Sequence, residues 1–438
     1  MKALEQLDRT ILLCRDHTAE GLSDEQICRG FLSTRVLCIS DSPNLSSHGG
    51  QTALITLVSL LSRMGMQVAL SVPDVPLIRP QPPLPPLPGS SVRNALTAIS
   101  DALVTGATVS GCSEFDPDLI FVLGDSAVGG QRQVPYWRLS GDDWGGAVGL
   151  EGELPVRRWT IEWPIGAMVS AALAAGEAFK FTMRRFPLRS QLDQRLFEPS
   201  RGCGWHFGSV PIPQGVLDFG EVDVVSAGAI CQAALYALLR LPNAWMKGRI
   251  FDGDRTDPSN LNRNMLTLLR DVGAGKSHLV ALRSLPNFHL TAIPEPFAGA
   301  SGTEPILAPR VLVGVDHIPS RWGVQRCAPG WVGVSGTTHL GVLSSSHRPG
   351  EPCSGCLHFK DDPADGGRVP TVSFVSFWAG LAMAVRLIRE AIGFPYPAGQ
   401  QQLWMVPLRM DGNHAGVWMR VAPRQRCPVG CGPSVAAA

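Results

Sequence analysis

The segment from Glu221 to Asp252 constrains the fold more than any other part of the chain. Glu221–Ser226 (EVDVVS) reads as a strand, Gly228–Leu241 as a tight turn and helix, and Gly248–Asp252 (GRIFD) as a second strand. Strand, turn, helix and strand make a βαβ unit, the building block of a doubly wound α/β sheet. Such a turn can set free backbone N–H groups and the helix dipole beside a phosphate, while an acidic residue after the second strand can hold a ribose hydroxyl. Asp252 follows Gly228 at close to the ~20-residue spacing of that acidic residue. Ser226 and Cys231 replace the first and third glycines of the usual fingerprint, so a purely structural turn is the alternative.

The same grammar appears earlier in the chain. After a helical stretch over residues 1–32, Arg35–Asp41 (RVLCISD) and Met66–Val72 (MQVALSV) read as strands flanking a helix at Gln51–Met64. A helix near Ser91–Val104, a strand at Asp118–Leu123 and a long Ala-rich helix at Ile165–Phe186 complete this half. Between them, the proline-rich run Arg79–Gly89 is an exposed extended loop. In the second half, Leu261–Val272 is expected to be helical, Val311–Asp316 a strand, Gly330–Leu343 β-rich and Ser373–Ala391 a closing helix. Leu403–Arg409 and Gly416–Val421 can form a terminal hairpin. Two α/β halves, each ending in an Ala-rich helix, suggest a degenerate internal duplication.

Composition excludes several classes. At ~150 residues per domain, 438 residues suggest two or three domains. Thirty-eight basic against 37 acidic side chains leave a net charge of +1, no general field for nucleic acid or anionic membrane. The start, MKALEQLDRTILLCRDH, has no apolar stretch resembling a secretory signal. The most apolar helices carry Glu177, Lys180 and Arg386, and neither reaches the ~18 uncharged residues of a membrane span. The expectation is a soluble cytoplasmic protein. Of eleven cysteines, four fall into the close pairs Cys353/Cys356 and Cys427/Cys431. In a reducing compartment such pairs are metal ligands or redox couples rather than a disulfide framework.

The polar array just beyond the strand ending at Asp252 carries the chemistry. Asp252, Asp254, Ser259, Asn260 and Arg263 are followed by Lys276, one of only five lysines in the chain. Strand ends at a topological switch point are where nucleotides bind. A carboxylate pair there can hold ribose and metal, and Arg263 and Lys276 can neutralise a triphosphate. The bland alternative is a solvated charged loop.

DGDRTDPSNLNRNMLTLLRDVGAGK resembles the adenylation signature of the ThiF/MoeB superfamily, which includes the ubiquitin-activating enzymes. That pattern is D-x-D, S-N-L-x-R, then a lysine thirteen residues after the arginine, the spacing of Arg263 and Lys276. Asp316-His317 with Arg321 and Gln325 resembles the family's D-N…R…Q segment, whose Asp coordinates Mg²⁺. PGEPCSGCL and RCPVGCG resemble its two zinc-binding cysteine pairs, and RVPTVSF resembles the end of its crossover loop. The first half is similar more faintly: LDRTILLCRDHTAEGL…STRVLCISD follows the entry into a family Rossmann domain, with Arg9 at the Arg-finger position. Gly49-Gly50 comes too late for a phosphate loop, and no adenylation array follows Val72.

The resemblance implies two Rossmann-like adenylation domains forming a pseudodimer, an inactive one over 1–215 and an active one over 216–438. It implies ATP- and Mg²⁺-dependent adenylation of the C-terminal carboxylate of a ubiquitin-like protein. Similar two-half proteins occur in bacterial ubiquitin-like conjugation operons, including antiphage ones. Asp252 would anchor ribose, Gly228 and Ala229 would admit the nucleotide, and Asp316 would hold Mg²⁺. Arg9, Arg263 and Lys276 would stabilise phosphate charge. A structural Zn²⁺ would sit on Cys353, Cys356, Cys427 and Cys431. For a thioester nucleophile the candidates are Cys327 and Cys203; because Leu357–Thr371 contains no cysteine, the alternative is direct transfer to a conjugating-enzyme partner. Rival readings are a ThiF-type peptide-modifying or sulfur-carrier adenylyltransferase, and a non-enzymatic scaffold with a worn nucleotide site. The chain could also pair with a second copy.

Overall fold

Three short helices open the chain, α1 (Ala3–Gln6), α2 (Asp8–Arg15) and α3 (Asp24–Leu32), the last started by a capping box between Ser23 and Gln26. There follow β1 (Arg35–Ile39), α4 (His48–Arg63), β2 (Gln67–Ser71), α5 (Val92–Thr97), β3 (Val109–Gly111) and β4 (Leu119–Leu123). The hairpin β5 (Tyr136–Gly141) and β6 (Gly145–Leu150), then α6 (Ile165–Met183), α7 (Gln191–Leu196) and β7 (Gly202–His206) end the first half. The second half starts with β8 (Leu217–Val225), α8 (Ala229–Leu238) and β9 (Ala244–Phe251). It continues through α9 (Lys276–Leu282), β10 (Phe288–Ile293), β11 (Arg310–Val313), α10 (Ile318–Arg326), β12 (Trp331–Thr338) and β13 (Gly341–His347). It closes with α11 (Ser354–Leu357), α12 (Ser373–Ala391), β14 (Gln402–Met405) and β15 (Gly416–Met419). This computed structural model describes residues 3–81, 91–100, 102–112, 115–129, 134–284, 286–297, 306–360, 369–410 and 416–431. Most of the proline-rich run and residues 361–368 of the crossover segment lie outside the described residues.

Among the described residues the strands form two mixed sheets with one topology used twice. The first has the order β3-β2-β1-β4-β5-β6-β7 and the second β10-β9-β8-β11-β12-β13-β14-β15. In each, the first five strands in that order pair parallel and the remainder antiparallel. Both are Rossmann-like, with the order reversing between β1 and β4 and between β8 and β11. Strand order therefore repeats where residue identity does not.

The halves share one core. Helices α6 and α12 are apolar on nearly every face, the pattern of a helix buried all round. They pack with α4 and α8 in a continuous apolar cluster that draws on both sheets. A Cβ on Gly380 of α12 would collide with the Ile230 carbonyl of α8, so this glycine permits close approach of the two helices. Across the junction, the Thr56 and Tyr236 hydroxyls hydrogen-bond at 3.1 Å, and Ser373 donates to the Leu60 carbonyl at 3.1 Å. At the far edge Trp205 of β7 stacks on Trp418 of β15, with ring centres 6.4 Å apart.

Leu261–Val272 is not a helix. The chain there runs through turns, with 3₁₀ turns at Pro258–Asn260 and Leu269–Asp271. Asparagine side chains compete with the backbone of a helix for hydrogen bonds, and here Asn260, Asn262 and Asn264 fall close together. The helix expected over Ser91–Val104 is confined to Val92–Thr97. The strands β3, β5, β6, β7 and β10 were not foreseen. Several are glycine-rich, and β6 (GGAVGL) carries little of the β-branched signal that marks a strand.

Candidate functional site

At the C-terminal ends of β8, β9 and β11 lies a cavity of about 860 Å³. Gly228, Ala229, Asp252, Asp254, Asn260, Arg263, Lys276, Asp316 and Arg9 all line it. Its floor is the turn from β8 into α8. Ser226 has φ +90°, a conformation that favours glycine. The position thus keeps the geometry of the missing first glycine. The Ser226 hydroxyl accepts from the Gly228 N–H at 2.9 Å. Gly228 is the N-cap of α8 and supplies no side-chain cap, so the first-turn N–H groups face the cavity without one.

Asp252 binds the turn together. One carboxylate oxygen accepts from the Ala227 N–H at 2.7 Å and the other from the Asp254 N–H at 2.9 Å. Residues 254–256 pair with 273–276, and Lys276 begins α9 beside them. Its ammonium lies 2.8 Å from the Asp254 carboxylate and is mostly buried, whereas Asp254 is exposed. Arg263 donates to the Ser259 carbonyl and, at 2.8 Å, to the Asn262 side chain. Burial, then the neighbouring Arg9 charge, pulls the Arg263 guanidinium down to about 9, while Asp257, Asp8 and Asp316 favour its charged form. Ser259 lies behind this wall and lines a smaller pocket under α2.

Arg9 comes from α2, in the first half. Its guanidinium donates to the Val369 carbonyl at 3.2 Å, and its own carbonyl accepts from the Thr371 N–H. The Asn262 amide donates to the Thr10 hydroxyl at 3.0 Å in a buried bond, fastening α2 to the segment that bears Arg263. On the opposite wall Asp316 is exposed to the cavity. Arg321 donates to the Val315 carbonyl at 2.8 Å and to the His358 ring at 3.0 Å. Burial, then Arg321, pushes the His358 imidazole down to about 4. Sequence reasoning missed His358 as a cavity residue. Its one signal is its place two residues after Cys356.

The cysteine pairs, distant in sequence, converge. The four sulfurs of Cys353, Cys356, Cys427 and Cys431 lie within 4.8 Å of one another. Cys353 and Cys427 are 3.3 Å apart, as are Cys356 and Cys431. Four convergent thiols suit a tetrahedral Zn²⁺. Cys327 caps the end of α10 and does not line the cavity. Cys203 is buried in β7, its sulfur 3.9 Å from Glu177.

In the first half the equivalent helix start is hydrogen-bonded by the chain itself. The N-terminal N–H groups of α4 are taken by Glu162 Oε2 on His48, the Ile161 carbonyl on Gly49 and the Ser47 hydroxyl on Gly50. Cβ atoms on Gly49 and Gly50 would strike the carbonyls of Ile161 and Asn44. These glycines admit polypeptide to the helix start. Asn44 fills the space beside it, donating to Asp41 and Asp125 at 2.8 Å and to Ser126 at 3.0 Å, and accepting from the Trp159 N–H at 2.9 Å.

Fold and geometry define a chain of two Rossmann-like sheets, one with a cavity at its strand-end helix start and one whose equivalent helix start is hydrogen-bonded by the chain. Residues 35–190 match the family model of the BilD N-terminal domain. The uncharacterized protein y4jF of Sinorhizobium fredii is 24% identical over 229 residues, which are 50% of this chain and 43% of that protein. The chain thus aligns with less than half the length of that relative. Among solved structures, E. coli MccB is 13% identical with a TM-score of 0.41, covering 69% of this chain and 96% of MccB. PaaA is 14% identical with a TM-score of 0.34, covering 46% of this chain and 64% of PaaA. No described helix is long and apolar enough to cross a membrane.

Proposed function

We propose that the chain is an ATP-dependent adenylyltransferase acting on the C-terminal carboxylate of a ubiquitin-like protein. One observation carries this reading: Arg9 of the first half meets Arg263, Lys276 and the carboxylates of Asp252, Asp254 and Asp316 around one cavity at an uncapped helix start. In the proposed reaction a carboxylate oxygen attacks the α-phosphorus of ATP, the bond to the β-phosphate oxygen breaks, and pyrophosphate leaves. Arg263, Lys276 and Arg9 meet the negative charge that develops at the phosphates, the term that dominates such transfers. Asp252 anchors ribose, and Gly228 and Ala229 bring the main chain close to the nucleotide. Asp254, which faces Lys276 at 2.8 Å, orients that ammonium, and Asn260 adds an amide to the wall. A Mg²⁺ ion on Asp316 would neutralise phosphate charge. A zinc ion on the four cysteines would tie the tail to the segment that carries His358.

In the acyl-adenylate so formed, a thiol sulfur then attacks the carbonyl carbon and AMP leaves. No cysteine is among the described residues lining the cavity, which favours direct transfer to a partner's thiol over a thioester on Cys327. The first half, 1–215, serves as an inactive partner domain to 216–438, a reading supported by the filled crevice at α4. The match to the BilD N-terminal domain supports a bacterial ubiquitin-like conjugation pathway, and we place its use in antiphage defence. Radiolabelled pyrophosphate should exchange into ATP in the presence of the cognate ubiquitin-like protein and not without it. Exchange with no added acceptor protein would instead favour a small-molecule substrate, and no exchange with any neighbouring-gene product would sink the reading.

A further inference from the structure

Residues 261–267 have no regular secondary structure, yet apart from half-buried Arg263 every one of them is buried. Buried irregular backbone must find hydrogen-bond partners from elsewhere. Much of that task falls to one side chain of the other half. Arg63, the last residue of α4, is 0% exposed. Its guanidinium donates to the carbonyls of Leu261 at 2.7 Å, Met265 at 3.0 Å and Thr267 at 3.0 Å. These acceptors flank Arg263 on both sides. Gln232 of α8 holds the same segment from its own half, accepting from the Leu266 N–H and the Thr267 hydroxyl at 3.0 Å while donating to the Ala227 carbonyl at 2.8 Å.

The choice of an arginine here is costly. Burial pulls its guanidinium down to about 9, and Asp271, which favours its charge, is itself bonded to Arg283 at 2.8 Å. A buried cation with only carbonyl partners is expensive to desolvate, and an apolar side chain of similar length would fill the space. What an apolar chain cannot do is fix three carbonyls at once. The planar fork of a guanidinium can, and an ammonium does so less well.

We propose that Arg63 is a positioning residue for adenylation: it sets the main-chain path that aims Arg263 into the cavity, so the first half shapes the reactive wall of the second. This rests on the adenylation reading above. The test is pyrophosphate exchange by wild type, Arg63→Lys, Arg63→Met, Arg263→Ala and the double variant Arg63→Met/Arg263→Ala. Hydrogen exchange of the segment 261–267 is followed in the same proteins. Misplacing Arg263 should lower the exchange rate at saturating ATP roughly 10–100-fold in both Arg63 variants, with a much smaller change in KM for ATP. Amides of 261–267 should lose protection while those of α4 keep it. In the Arg263→Ala background, removing Arg63 should cost little more, because nothing remains to be aimed. An equal fold-loss in both backgrounds, or Arg63→Lys and Arg63→Met at the wild-type rate, overturns the assignment. If Arg63→Met does not fold, Arg63→Lys and its double variant with Arg263→Ala decide. Wild-type protein that never exchanges overturns the adenylation reading and this assignment with it, whereas wild-type exchange with unaffected Arg63 variants overturns the assignment alone.

Discussion

Arg9 and Arg263 approach one another from opposite halves of the chain, and burial, then the Arg9 charge, depresses Arg263. Two guanidiniums held together gain a reason when a polyanion lies between them. Arg9→Ala should therefore cut pyrophosphate exchange by roughly 10²-fold, with nucleotide affinity falling far less. An Arg9→Ala protein with wild-type exchange would separate the first half from catalysis. A second residue bears on stability. His347 is buried in β13, its ring nitrogens bonded to the Ser345 hydroxyl at 2.9 Å and the Pro352 carbonyl at 2.8 Å. Burial lowers its pKa from 6.5 to about 4. Between those values the unfolded chain binds the proton and the folded one does not, so stability is lost as pH falls through that window. The slope should approach about 1.4 kcal/mol per pH unit. His347→Gln should flatten it in urea titrations run from pH 7 to pH 4; an unchanged slope would reassign the acid sensitivity.

At the scale of elements, the βαβ unit of Glu221–Asp252 was legible because strand, turn and helix each leave a local pattern. The array beyond it was legible as chemistry and misread as structure. Residues 261–272 have apolar spacing suggestive of a helix, but the carbonyls of Leu261, Met265 and Thr267 and the N–H of Leu266 are held by Arg63 and Gln232, which no local window contains. The cysteine pairs were legible as pairs, and their convergence on one point agrees with the expected four-ligand site. Purified protein should accordingly hold about one Zn²⁺ per chain, lost in Cys353→Ser/Cys356→Ser. Metal analysis of the intact protein that finds none would remove the metal. The strands β6 and β7 were illegible for a related reason: their glycines answer to contacts made far along the chain, Gly145 with His206, Gly146 with Ser170 of α6 and Gly204 with Ala147.

The whole molecule repeats a topology with two unlike helix starts. In the sequence the repeat showed only as strand and helix order, since the second half keeps the polar array and the first does not. In the structure the difference has a physical form. The start of α8 opens on a cavity, and the start of α4 is hydrogen-bonded to Ser47, Ile161 and Glu162. Calorimetric titration with ATP should then give a single site per chain, abolished by Lys276→Ala and untouched by Asp41→Asn. Two sites of comparable affinity would show that the crevice at α4 opens in solution.

That internal closure also bears on how long the protein survives in a cell. A helix start satisfied by its own chain needs nothing from solution, but the uncapped start of α8 is left to water or to a ligand that binds there. Any species that binds the native state alone stabilises it, by about 2.7 kcal/mol at a hundredfold excess over Kd. Because the two halves share one core, ATP bound at α8 should raise the protease resistance of the whole chain.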